Sequence, residues 1–214
     1  MKKAIITIVC GCALLVSTSA AIANDYIGAM QKSIEAVYQA SDIRQLQEAV
    51  NTLERIGAAE PSKWEPQYYA AFGYIMMATR ENDAAAKDTY LDRAMTATEK
   101  ARSLAPGESE IIAIEGFIYM MKVTVDPASR GPEYAPRAQE TFGKAIALNT
   151  DNPRPLALMA QMQYGTARFL GNSISDACSL VDKSLEKFEA YKSENPLAPT
   201  WGKPMALALK QQCK

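Results

Sequence analysis

The chain has 214 residues, 48% of them apolar, and a formal net charge of −1. It contains no histidine, which excludes His-dependent triads, His-ligated zinc and covalent c-type haem attachment through C-x-x-C-H. Basic residues are in no excess and form no patch, so nucleic acid is not the expected partner.

Residues 1–23 read as a secretory signal. Lys2 and Lys3 open it, residues 4–16 (AIITIVCGCALLV) form an apolar stretch, and Ala21-Ile22-Ala23 supplies an A-x-A cleavage site. The stretch is shorter than the roughly 20 residues a spanning helix needs, which argues against a retained anchor. Cys10 and Cys12 lie inside it, too early for a lipid-carrying cysteine. The mature chain is expected to begin at Asn24, to be periplasmic or secreted, and to contain no later membrane span. Losing Lys2 and Lys3 makes its charge more negative by two. What remains, 24–214, suits one domain.

The mature sequence parses into helix pairs, each closed near a proline: Ile56 before Pro61, Leu104 before Pro106, Leu148 before Pro153, Tyr191 before Pro196. The period of about 44 residues marks stacked helix pairs. In the first pair (25–61), Met30, Ile34 and Val37 mark one helix and Leu46, Val50 and Leu53 the next, with Ser41 or Asp42 as cap. The second (62–106) opens at Ser62 with Glu65 three residues on, a capping-box pattern. Tyr68, Tyr69, Phe72 and Met76 follow, then a polar, mobile-looking stretch over 79–87, then Leu91, Ala94, Ala101 and Leu104. The third (107–153) has Ile111, Ile114, Phe117 and Ile118, a proline-rich loop over 125–136, and a helix carrying Ala138, Phe142 and Ala145. The fourth (153–196) starts with Asn152 as cap and Pro153 at the first helical position. Residues 201–213 read as a capping helix over the open end. No strand pattern appears.

Cys178 and Cys213 are the two cysteines of the mature chain. If the last two helices form a hairpin turning near Asn195 and Pro196, the pair lies about 18 residues before and about 17 after the turn and meets at the open end, which predicts a disulfide. Two free thiols are the alternative. No C-x-x-C spacing suggests redox catalysis.

Ala138, Phe142, Ala145 and Leu148 follow the A-x3-F-x2-A-x2-L spacing of the second helix of tetratricopeptide repeats (TPR), and Ala94, Thr98, Ala101 and Leu104 keep that frame. Phe72-Gly73 and Glu115-Gly116-Phe117-Ile118-Tyr119 resemble in part the L-G-x2-Y element of the first helix. The chain therefore resembles the TPR superfamily from about 25 to 191. The resemblance implies a right-handed α-solenoid of about four antiparallel helix pairs plus the capping helix. The period departs from the family's 34 residues, the excess lying between the first-helix glycine and second-helix alanine, and a period near 44 also fits HEAT-type repeats. In TPR proteins the first helices line a partner-binding groove. Aligned on Gly73 and Gly116, the groove positions would be Tyr74, Met77, Phe117, Met120, Met121 and, more loosely, Met162. Aromatic and methionine stripes at helical spacing are otherwise core.

A second candidate surface is the loop at 126–137, whose Arg130, Tyr134 and Arg137 are residue types that dominate binding hot spots. Methionine pairs suggest Cu(I), but no His or mature free Cys accompanies them, so no metal or cofactor is expected. No nucleophile–base pair stands out, so no enzyme activity is expected. The expected function is a non-catalytic scaffold of a bacterial-type cell envelope that binds a protein or peptide, with self-association left open. The alternative is a small-molecule or glycan-binding auxiliary protein of an uptake system, with aromatic residues stacking on the ligand.

Overall fold

The computed structural model describes the backbone of residues 13–213 and the side chains of 25–213. The expected signal segment and its cleavage site lie outside the residues described in full. Among the described residues the chain is all-α: α1 (Ala13–Gln39), α2 (Ile43–Ala59), α3 (Glu65–Arg80), α4 (Ala84–Leu104), α5 (Ser109–Val125), α6 (Pro127–Leu148), α7 (Pro153–Leu170), α8 (Ser175–Ala190) and α9 (Lys203–Gln211). Each odd helix packs on the even helix that follows it. The odd helices α1, α3, α5 and α7 also touch in series, and α7 touches α9. The even helices do not pack backbone to backbone on one another, and α4 and α6 meet through the Arg130–Asp88 ion pair. The odd helices thus form an inner layer and the even ones a splayed outer layer.

Burial explains this division. α5 is apolar nearly all round because it is enclosed, with Ile111, Ile114, Phe117 and Ile118 all buried, each contributing about 1.5–3 kcal/mol. α2 carries a single stripe, Leu46, Val50 and Leu53, and exposes its other face. At Gly116 an added Cβ would stand 2.5 Å from the Phe142 ring, so the glycine lets α5 and α6 approach.

Capping fits the sequence in places and corrects it in others. Asp42 caps α2, accepting from Gln45 N–H at 2.7 Å, and Asn152 caps α7, accepting from Arg154 N–H at 3.0 Å with Pro153 next. The expected Ser62 start is displaced: α3 begins at Glu65 behind Trp64, because residues 60–63 turn and Pro66 suits the first helical turn. The stretch over 79–87 is mostly helical, since Asp83 caps α4 early by accepting from Ala86 N–H at 2.8 Å.

The proline-rich loop is also corrected. α6 runs unbroken from Pro127, with Asp126 capping Ser129 N–H. Pro132 and Pro136 remove donors to the carbonyls of Ala128 and Pro132, both on exposed residues where water can serve instead. The long period is therefore housed in the second helices: α4 has 21 residues and α6 has 22.

Cys178 and Cys213 form the disulfide, with Cα atoms 5.7 Å apart, joining α8 to the end of α9. It closes a separation of 35 residues, for which loop entropy gives about 3–4 kcal/mol.

Candidate functional site

Between α8 and α9 the chain leaves helical form and crosses the inner face as a strap, residues 191–202. An Asx turn starts the crossing, Asn195 Oδ1 accepting from Leu197 N–H at 2.9 Å. Every odd helix then holds it. Tyr69 Oη of α3 donates to the Leu197 carbonyl at 2.6 Å, Thr200 N–H donates to Tyr38 Oη of α1 at 3.3 Å, and Arg154 Nη2 of α7 donates to the Pro199 carbonyl. Trp201 stacks between Phe72 of α3 and Phe117 of α5, at centroid distances of 5.0 and 5.9 Å. Gly202 turns the strap into α9 at φ 107°, where a Cβ would lie 2.8 Å from the Phe188 ring.

A buried polar chain runs beneath the strap. Trp201 Nε1–H donates to Tyr68 Oη at 2.9 Å, Tyr68 donates to Glu110 Oε2 at 3.2 Å, and Arg154 Nη1 donates to Glu110 Oε1 at 2.8 Å. Arg154 is 1% exposed and lies against the rings of Tyr191, Trp201 and Phe188. Its Nε has no hydrogen-bond partner. Burial pushes the Glu110 carboxyl above its ordinary range, with Arg154 and Tyr68 opposing.

One helical turn beyond Phe72 and Phe117 lie two thioethers, Met76 and Met121, and a third, Met205, sits in the first turn of α9. All three are half-buried and pack against the core containing those rings. On α7 the corresponding stripe runs Leu158, Met162, Gly165, Phe169. A Cβ at Gly165 would meet nothing within 4 Å, and Phe169 is 65% exposed. Arg80 continues the α3 row, exposed at its end, and Arg168 stands beside Phe169. The inner face thus offers an apolar, polarizable surface with cations at its edge.

The sequence-predicted positions divide. Phe117 lies on the inner face under Trp201, and Met121 is one of the three thioethers. Met162 and Met120 are 6% and 5% exposed, and Met77 is wholly buried. Tyr74 points the other way, its hydroxyl donating to Glu54 of α2 at 2.7 Å. It floors an outer furrow of about 850 Å³ between α2 and α4, lined also by Gln67, Asp92, Arg93 and Lys100. The alignment on Gly73 misplaced Tyr74 because Phe72 and Met76, not their neighbours, face the strap.

Arg130, Tyr134 and Arg137 sit on α6 rather than on a loop. Arg130 makes a two-pronged ion pair with Asp88 of α4 at 2.6 and 2.7 Å. Tyr134 stacks on Tyr119 of α5 at 6.2 Å under the Arg137 guanidinium. Both tie α6 to its neighbours. Sequence reasoning missed Arg154, Glu110 and the strap. A signal existed at Arg154, a cation in the first turn of a helix, where the dipole opposes it, flanked by two prolines.

Among the described residues no group of His, Cys, Asp and Glu side chains is arranged to hold a metal, and no helix is long and apolar enough to cross a membrane. No protein-family model matches the chain, and neither does any curated protein. Solved structures do match, among them these two. One is the HusA haemophore from Porphyromonas gingivalis, 27% identical with a TM-score of 0.78 over 88% of this chain and 92% of that one. The other is TTC0263, a TPR protein of Thermus thermophilus, 17% identical with a TM-score of 0.53 over 81% of this chain and 89% of that one. The fold is TPR-like.

Proposed function

We propose that this protein is an exported, non-catalytic binder of a porphyrin-type ligand, haem or its metal-free relative, within an uptake system. The observation that carries the reading is the likeness to a haemophore over nearly the whole of both chains. The inner face supports it physically. A porphyrin is a flat apolar ring with carboxylates on one edge. Met76, Met121, Met205 and Phe169 suit the ring, and Arg80 and Arg168 suit the carboxylates. With no histidine and both mature cysteines tied together, iron would find only thioether or phenol ligands, so contact with the ring carries most of the affinity.

The test is an absorbance titration of the mature, oxidised protein with haem and with metal-free protoporphyrin. Both are expected to bind saturably. Absence of saturable binding by either overturns the reading. A peptide-binding scaffold is the second reading, favoured by the inner face already accommodating an extended chain segment. Saturable binding of an envelope peptide without porphyrin binding would establish it instead.

A further inference from the structure

On the porphyrin reading the strap and α9 belong to the binding surface. Trp201 and Met205 come from this segment, whereas Phe72, Met76, Phe117, Met121 and Phe169 come from the inner helices. α9 has nine residues, no side-chain cap, and only Ala206 and Leu209 fully buried. A helix that short does not persist in water without outside support. Packing of Ala206 and Leu209 on Ala157, Ala160 and Val181, the ion pairs Lys203–Glu189 and Lys210–Asp182, and an attachment at either end supply that support. Upstream, Arg154 and Tyr69 grip the strap by its carbonyls. Downstream, the disulfide ties Cys213, just past the end of α9, to Cys178 on α8. Both cysteines are half-buried and so within reach of a small reductant.

We propose that the Cys178–Cys213 disulfide is a redox latch on the ligand site: while it is closed the strap completes the inner face, and when a dithiol opens it the segment loosens and the site loses Trp201 and Met205. The exchange balances simply. A thiolate of the reductant attacks one protein sulfur and expels the other as a thiolate, and the reductant's second thiolate then attacks the reductant sulfur of the mixed disulfide and expels the remaining protein thiolate. Cys178 and Cys213 are left as thiols and the reductant as a cyclic disulfide. The inner helices keep their own packing, since among α9 residues only Met205 packs against the core they share. The loosening is therefore local. The part concerning ligand rests on the porphyrin reading, whereas the loosening of the strap does not.

The experiment uses the mature chain carrying Trp64→Phe, which leaves Trp201 as its one indole. Trp201 emission, acrylamide quenching and protoporphyrin affinity are measured in the oxidised protein, after dithiothreitol, and in a Cys178→Ser, Cys213→Ser version. Opening the disulfide is expected to shift Trp201 emission to the red, raise its quenching, and weaken protoporphyrin binding by about tenfold through lost preorganisation. Helical circular dichroism should hold, and re-oxidation should restore all three readings. Trp201 staying equally shielded in the reduced and Ser forms overturns the latch. A red shift with unchanged or tighter binding overturns the strap's part in the site. If the oxidised protein binds no porphyrin, the fluorescence arm still decides the latch.

Discussion

The inner and outer layers of this molecule are built from the same helix pairs and end up as opposite environments. Inside, a strap from the C-terminal region seals the odd helices with stacked rings and a buried ion pair. Outside, the even helices are more widely spaced, and the α2–α4 furrow is left open and lined largely by polar side chains. The difference teaches where energy and specificity reside. A charge in the furrow keeps its water, so its neighbours count for little. Arg154 has lost its water, so each partner counts.

Removing Arg154 should break the inner side hardest. Arg154→Ala leaves Glu110 buried without its cation and is expected to destabilise by about 3–5 kcal/mol in urea unfolding. Adding Glu110→Ala should recover part of that loss. Strictly additive changes would show the pair is uncoupled. Gly202→Ala comes next, at about 1–3 kcal/mol, because φ 107° suits glycine and the new methyl meets Phe188. On the outer side, Tyr74→Phe removes only the hydrogen bond to Glu54 and should lower stability by about 1 kcal/mol or less. The smallest effect belongs to Asp88. Hydrogen bonds from Arg130 hold its carboxyl below the ordinary value despite some burial. A depressed folded pKa gives stability that is present above the unfolded value and is lost as pH falls through the folded one. Arg130→Ala should therefore flatten the acid limb of a stability–pH profile below about pH 4, by roughly 0.5 kcal/mol given the pair's exposure.

Much of the helical architecture was legible because close helix packing leaves a local mark. Gly116, Ala138, Phe142 and Ala145 report an α5–α6 approach by their spacing alone. The Cys178–Cys213 disulfide is as expected, although the strap 191–202 and not a tight hairpin turn joins α8 to α9. The length of α4 and α6 was not legible, because Pro132, Pro136 and the polar run before Thr89 look like breakers unless Asp83 and Asp126 are seen capping. Glu110 and Arg154 lie 44 residues apart, and although Arg154 is unusual for a first helical turn, nothing local marks Glu110 as its partner, so only tertiary structure reveals the pair. The strap repeats nothing and has no periodicity to read. Of the candidate site, Phe117 and Met121 were legible from the TPR frame. Met205 and Phe169 join it only through the folded geometry.

Hydrogen exchange of the oxidised protein, with and without saturating protoporphyrin, tests the central claim most directly. The account predicts slowed exchange in the C-terminal halves of α3, α5 and α7 and in the strap, with α2 and the outward half of α4 unchanged. Protection confined to the α2–α4 furrow, or no protection anywhere, would contradict it.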